Sequence, residues 1–278
     1  RSESKRIMIT LYQFGNSVCA QKVRITLSEK NLEWEPREVN LFKSEQYSPE
    51  YLKLNPKGVV PTLIHEGRPI CESTLICEYL DEVFPEPKLT PDDPYDRSQM
   101  RIWSKMVDEG LHEGTTEISF SAMFREKMRA LTPEQRETRL HNIGDPRRRM
   151  RFTSTYEDGV DSPFVLHAIA AYEKMFKTLE GTLGDGRDWI FGDRHTLADI
   201  NIMPYAARMV YLGLFDVWNE DRPHVQAWWQ RASALASFKD GISDRLSAQE
   251  ISDMETYGPT IRDRLREHRA EHIAQLPH

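Results

Sequence analysis

Several short stretches of this chain carry residue types that could do chemistry together. Ser17 stands at the head of VCAQKVRITLSEKN, where a hydroxyl can cap a helix and accept one of its free backbone N–H groups. Cys19 lies in the first turn of the same helix, a position where a thiol pKa tends to fall. Val59-Val60-Pro61 enters a strand with a proline, which cannot donate to a ladder and is confined to strand starts, edges or bulges. A proline so placed often signals a cis peptide that holds a turn. Such a turn would expose the Val60 amide and carbonyl to a peptide-like ligand, bound as an added strand. Glu72-Ser73 opens the next helix, where free N–H groups accept a carboxylate. A backbone edge beside an anion site suits a small, extended, acidic peptide.

The elements that must position these residues can be read from pattern. Residues 7–14, IMITLYQF, are apolar and β-rich and predict strand one, which Gly15-Asn16 ends. Ser17 then caps a helix with Val18, Val23, Ile25 and Leu27 on its buried side. Residues 33–39 predict an edge strand, because Pro36 removes a ladder donor. A short helix starts at Ser48-Pro49. Thr62–His65 and Pro69–Cys71 form a hairpin around Glu66-Gly67, and Ser73–Val83 a helix. The order β-α-β-α-β-β-α is that of a thioredoxin-like α/β domain. Prolines 85, 87, 91 and 94 then mark a linker. The expected division is 1–86 for the first domain, 87–94 for the linker and 95–278 for an all-helical domain with a helical tail.

In that second part Met100, Trp103, Met106, Val107 and Leu111 recur at helical spacing over 97–128. Thr132-Pro133-Glu134 starts another helix. Residues 141–163 are charged and read as irregular, and 164–183 as a long amphipathic helix. Thr196 with Asp199 three residues on makes a variant capping box for a buried helix. Trp228, Trp229 and Phe238 are expected on one later helix.

Composition narrows the class. With 278 residues, 39% hydrophobic and 29% charged, the chain is expected to fold as a soluble globule of one large or two ordinary domains. A formal charge of −7 argues against a general nucleic-acid surface. No apolar run approaches the roughly 20 residues that span a bilayer. The opening passes straight into a strand, so no signal peptide is expected. Cys19, Cys71 and Cys77 form neither a disulfide framework nor a metal-ligand spacing, which points to a reducing cytoplasmic setting. His112, His141 and His167 share no spacing that suits a metal or a triad.

Taken in order, Ser17–Arg24, Asn55-Pro56-Lys57-Gly58-Val59-Val60-Pro61, Glu72-Ser73 and Thr196–Asp199 resemble the cytosolic glutathione transferase superfamily over the whole chain. ESTLICEYLDEVFPE and DPYDRSQMRIWSKMVDE look closest to its bacterial glutathione-dependent β-etherase branch. The Arg-rich segment Asp145–Phe152 matches a feature of that branch. The EYLDE run is shared with the omega class, and Ser-x-Cys followed by Lys-Val-Arg-Ile with the zeta class, which includes maleylacetoacetate isomerase.

The resemblance implies a glutathione transferase fold, glutathione as co-substrate, no metal, and a homodimer. Ser17 falls in the catalytic position of serine-type members, where its hydroxyl would donate to the glutathione thiolate; it can do so while capping the helix. Val60 and Pro61 would hold the cysteinyl part, Glu72 and Ser73 the γ-glutamyl amine and carboxylate, and Lys43 the glycyl end. Phe14, Trp103, Met106, Phe120, Met123 and Phe124 are expected to meet an apolar, aromatic electrophile between the domains, or to be ordinary core. Tyr12 falls too early for a tyrosine-type site and reads as packing. Arg147, Arg148, Arg149 and Arg151 would attract an acidic substrate or pair with acidic neighbours. The expected reaction is attack on an electrophilic carbon, with β-aryl ether cleavage as the specific form. A glutathione-dependent isomerase, a Cys19-based thiol transferase and a non-catalytic glutathione- or ligand-binding protein stay open. Ser17 and Ala20 occupy the two positions of a Cys-x-x-Cys frame, which argues against dithiol chemistry.

Overall fold

The computed structural model describes residues 8–277. The chain forms two compact units. One takes in residues 8–101 together with Arg194–Pro204 and Gln230–Ser247; the other takes in Ile102–Asp193, Tyr205–Trp229 and residues 248–277. The stretch after the linker therefore supplies two segments to the first unit.

In the first unit β1 (Ile9–Gln13), α1 (Val18–Glu29), β2 (Glu35–Glu38), α2 (Pro49–Leu54), β3 (Thr62–His65), β4 (Arg68–Cys71) and α3 (Ser73–Val83) follow the expected order. Of strand one as read from sequence, residue 7 lies outside the described residues. The sheet runs β2-β1-β3-β4, with β2 parallel to β1 and the other neighbours antiparallel. Pro36 is tolerated because β2 is an edge. Glu66 and Gly67 both have positive φ, as a two-residue hairpin turn requires. Leu11, Leu63, Ile76 and Leu80 are fully buried, as are Ile25 and Leu27 of α1.

Two later segments complete this unit. Thr196 N donates to Asp199 Oδ2 at 3.1 Å, and Ala198 N donates to Thr196 Oγ1 at 3.2 Å, so the capping box forms. His195, just before it, lies 3.0 Å from Glu29 Oε1, and the Ser237 hydroxyl donates to the same carboxylate. Burial would raise the Glu29 carboxyl, but His195 and Ser237 together hold it below its ordinary 4.5. Burial would likewise lower the His195 imidazole, but the Glu29 carboxylate holds it above 6.5. The Glu29 contribution is present above 4.5 and is lost as pH falls through its folded value. The His195 contribution is full below 6.5 and is lost as pH rises through its folded value. Glu29→Gln is therefore expected to cost about 1–2 kcal/mol between those values and clearly less at alkaline pH, read from urea midpoints across pH. A cost that stayed flat with pH would remove the ionic part of this account.

The second unit is helical. Part of α4 (Pro94–Met106) leads into it, followed by α5 (His112–Ser119) and α6 (Arg125–Arg129), joined by π-turns at Val107–Leu111 and Phe120–Phe124. Next come α7 (Pro133–His141), α8 (Pro146–Asp158) and α9 (Pro163–Leu183). Helices α11 (Asp216–Asn219), α14 (Ala248–Tyr257) and α15 (Arg262–Ala274) also belong here, α10 (Leu197–Tyr211) and α12 (Pro223–Ser233) each contribute residues to both units, and α13 (Ala236–Gly241) belongs to the first. Tyr172, Phe176 and Trp218 stack in the core, with Tyr172 and Trp218 ring centroids 5.1 Å apart.

Two expectations are corrected. Residues 146–158 are helical, not irregular: Asp145 caps α8 by accepting from Arg147 N at 2.9 Å, and Pro146 is at N1. That helix lacks a broad apolar stripe, so periodicity missed it. Phe238 does not share a helix with Trp228 and Trp229, because Leu235 is extended and α13 starts anew.

Candidate functional site

The sheet register gathers the proposed peptide-binding residues. Tyr12 pairs with Thr62, and Thr62 pairs with Cys71. The C-terminal ends of β1 and β4 therefore meet the N-terminal end of β3. Beyond those ends come Phe14 and Ser17, Val60 and Pro61, and Glu72 and Ser73. Gln13 pairs with Glu38 in the parallel β2, and Val39 N donates to Gln13 O at 2.8 Å, which brings the segment leading to Lys43 to the same end. Sequence separations of up to about 60 residues collapse to one edge because strands β1, β3 and β4 alternate in direction.

Ser17 caps α1, with backbone φ −77° and ψ 117°. Its Oγ accepts from Ala20 N at 3.3 Å. A hydroxyl has one proton to give and two lone pairs to receive, so capping leaves the O–H proton available as a donor. Cys19 is half-buried and in no disulfide. Burial pushes the Cys77 thiol up to about 11, which leaves it inert as a nucleophile.

The Val60–Pro61 peptide is cis, as the proline position led one to expect. Tyr51 Oη donates to Val59 O at 2.6 Å and sits 2.9 Å from Thr62 Oγ1, and Asn55 Nδ2 reaches both. Burial pushes the Tyr51 phenol up to about 12, so it stays a neutral donor. This network anchors the residues on either side of Val60 and Pro61. Among the described residues no backbone partner inside the chain takes the Val60 N–H or C=O, which lie beyond the β1–β3 ladder. Val60 packs with Val39 and Tyr51, and Tyr12 and Phe14 cover that cluster. The rings of Tyr12 and Tyr51 are 5.7 Å apart, in keeping with a packing role for Tyr12.

Glu72 precedes α3 with φ 68° and ψ 107°, a left-handed conformation rare for a non-glycine residue. Such outliers cost on the order of 1–3 kcal/mol and cluster where a ligand is held. Its carboxylate pairs with Lys57 at the surface. Ser73 is buried at the first turn. Below it the fully buried Lys22 ammonium donates to Thr74 Oγ1 at 3.2 Å, adding a cation to a helix N-terminus that already favours anions. Sequence reading missed Lys22, since a lysine in an amphipathic helix is normally solvated. Lys43 is exposed on a short turn capped by Asn40.

Of the residues expected to meet an apolar substrate, Phe14 touches Phe42 edge-on at 5.6 Å in the first unit. In the second unit Trp103, Phe120 and Met123 are buried, while Met106 and Phe124 are half-buried. Phe120 to Phe124 form the second π-turn, a feature frequent at functional sites. The Phe120 ring packs on Phe152 of α8 at 5.1 Å. The α8 arginines are largely engaged. Arg147 pairs with Glu113 and Arg151 with Glu113 and Glu117, Arg149 donates to three carbonyls, and Arg148 covers Phe152. Glu117 is buried; desolvation raises its carboxyl against the pull of Thr155 and Arg151. No group of three or more His, Cys, Asp or Glu among the described residues could hold a metal ion.

Comparison with known proteins decides the family. The models for the glutathione S-transferase N-terminal and C-terminal domains match residues 11–88 and 136–231. Protein LigF of Sphingobium sp. (strain SYK-6) is 32% identical over 84% of this chain and 92% of its own length. This chain belongs to the glutathione transferase family. The crystal structure of β-etherase LigF from the same strain superposes with TM-score 0.75 and 31% identity, over 84% of this chain and 98% of that one. A maleylacetoacetate isomerase from Pseudomonas aeruginosa is 30% identical over 82% of this chain and 93% of its length. This glutathione transferase thus has its N-terminal α/β sheet and its largely helical remainder as the resemblance implied. No described helix is long and apolar enough to cross a membrane.

Proposed function

We propose that this glutathione transferase is a serine-type enzyme that binds glutathione along the edge formed by Val60, Pro61, Glu72 and Ser73. The observation that carries the reading is Ser17: its capping role uses only its acceptor side and leaves the hydroxyl proton for a thiolate. The unclaimed Val60 backbone matches an extended peptide, and the α3 N-terminus with Lys22 beneath it matches the γ-glutamyl carboxylate. Lys43 is assigned to the glycyl carboxylate. Substrate contact is the proposed role of Phe14, Trp103, Met106, Phe120, Met123 and Phe124.

The proposed reaction is β-aryl ether cleavage, supported by the similarity to β-etherase LigF. The glutathione sulfur forms a C–S bond to the ether carbon as the C–O bond breaks. The phenolate leaves with the electron pair and takes a proton, giving a phenol and a glutathione thioether. The domain division at residues 87–94, a cytoplasmic setting and a homodimer belong to the same reading. Exposed Leu75 and Tyr95 offer apolar surface for the homodimer.

The test is a turnover screen with glutathione against β-aryl ethers, haloaromatics and glutathione mixed disulfides, read by product mass. A phenol with a glutathione thioether is the expected product; turnover of mixed disulfides alone would overturn the reading. Cys19→Ser is expected to keep ether turnover within about two-fold, because the hydroxyl and not a thiol meets the sulfur. A loss of a hundred-fold or more would move the chemistry to Cys19 and to a thiol transferase or isomerase.

A further inference from the structure

Arg24 is almost fully buried, and its guanidinium is spent on the loop that starts α1 and on the 236–247 segment. It donates from Nη2 to Gly15 O at 2.7 Å, from Nη1 to Phe14 O at 3.3 Å and to Gln13 Oε1, and from Nε to Gly241 O at 2.9 Å. Helix side chains slant toward the helix N-terminus, which is how a residue two turns into α1 reaches back to the loop that starts it. The Phe14 carbonyl also accepts from Ser17 N at 3.0 Å. Arg24 therefore binds the same oxygen that fixes the Ser17 amide.

The opposite side of that loop is also closed. A Cβ on Gly15 would lie 2.8 Å from Arg245 O, and one on Gly241 would lie 2.8 Å from Ile25 N and 2.6 Å from its Cγ1. The 236–247 segment is thus in backbone contact with both the loop and α1. Ser28 and Glu29 add side-chain bonds to Asp240 and Ser237. We propose that Arg24 is a positioning residue: together with the α13 segment it fixes the Phe14–Asn16 loop and so aims the Ser17 hydroxyl at the glutathione sulfur. This rests on the reading of Ser17 as the donor to that sulfur.

For stability alone a buried guanidinium is a poor choice, since apolar side chains of similar volume do as well or better. What it supplies is geometry. Its planar fork reaches several acceptors in fixed directions, whereas lysine is a single point donor. A hydroxyl must be held within about 0.5 Å to favour a thiolate, and the loop that carries Ser17 has no ladder of its own to hold it.

The experiment compares Arg24→Lys, Ser17→Ala and the double variant. The pKa of bound glutathione is read from the ultraviolet absorbance of its thiolate across pH, alongside kcat, the glutathione KM and the thermal midpoint. Arg24→Lys is expected to raise the bound-thiol pKa by about one unit and to lower kcat at neutral pH about three-fold, with little change in KM. In the Ser17→Ala background it should add no further shift. A folded Arg24→Lys protein with the parent's thiol pKa overturns the proposal. So does a shift that persists undiminished without Ser17, which would mark a direct field of the guanidinium on sulfur. If Ser17→Ala itself leaves the thiol pKa unchanged, the reading of Ser17 fails and this inference with it. Should Arg24→Lys not fold, Gly241→Ala carries the test. Its added methyl pushes α13 off α1 and is expected to give a smaller shift of the same sign; an unchanged thiol pKa in that folded variant overturns the proposal.

Discussion

Ser17→Ala raises the pKa of bound glutathione toward the roughly 8.5 of a free thiol and lowers turnover at neutral pH by about ten- to a hundred-fold: this is the largest catalytic effect expected of any single substitution. A free thiol is only a few per cent thiolate at pH 7, so an enzyme that uses glutathione as a nucleophile must favour the anion. A shift of about two units corresponds to roughly 2.7 kcal/mol. A hydrogen bond to a charged acceptor supplies about 1.5–3 kcal/mol, and the α1 N-terminus adds about 0.3–1. The hydroxyl is thus the larger of the two terms, and its removal should return most of the shift. The sign fixes the pH dependence. A raised thiol pKa costs most where the parent is ionised and the variant is not, near neutrality, and the two proteins converge above pH 9. The cap is lost as well, at about 1 kcal/mol of stability, so thermal midpoints accompany the pH–rate profile. A variant with the parent's profile would remove Ser17 from the chemistry and leave it a cap.

Much of the first unit was legible because local signals agreed. Ser17 and Ser48 both cap the helices that follow them, and Pro61 marked its own cis peptide. The alternation of strands was enough to place Ser17, Val60 and Glu72 at one end of the sheet. What stayed hidden depends on burial that no periodicity encodes. Lys22, Arg24 and Thr26 are buried on α1 beside Val23, Ile25 and Leu27, so that helix is covered on more than one side and its amphipathic stripe is weak. The 194–204 and 230–247 segments that join the first unit are distant in sequence, and no motif ties Gly241 to Arg24. Helix α8 failed for a different reason. Its faces are polar, and Arg147 and Arg151 reach Glu113 and Glu117 of α5 where a stripe of leucines would have announced it. The left-handed backbone at Glu72 could not be foreseen either, since glutamate has no preference for it.

The largest loss of stability is expected from Asp81→Ala, about 3–5 kcal/mol out of the 5–15 that hold an ordinary domain. Asp81 and Lys30 form an ion pair whose side chains are 4% and 0% exposed. The Asp81 carboxylate also accepts from Leu89 N at 2.8 Å and from Thr90 Oγ1 at 2.7 Å. Lys30 ends α1, and its ammonium donates in addition to Pro87 O. One carboxylate therefore joins α1, α3 and the proline-rich connection, and Leu89 O in turn accepts from Leu197 N at 2.8 Å, beside the Thr196–Asp199 cap. Removing the acid leaves a buried ammonium with a carbonyl in place of a charge, and that uncompensated cation is the main cost. Lys30→Met with Asp81→Leu should then be less damaging than Asp81→Ala alone, because both charges leave together. It should not be neutral, since Leu89 N–H and Thr90 Oγ1 still lose their acceptor. Urea midpoints of the two variants decide the matter. A cost below about 1 kcal/mol for Asp81→Ala would mean that water reaches Lys30 and that the junction is held by packing alone. The predicted order also separates this residue from Ser17: Asp81→Ala should lose glutathione binding only as the fold is lost, whereas Ser17→Ala should keep the fold and lose the thiolate.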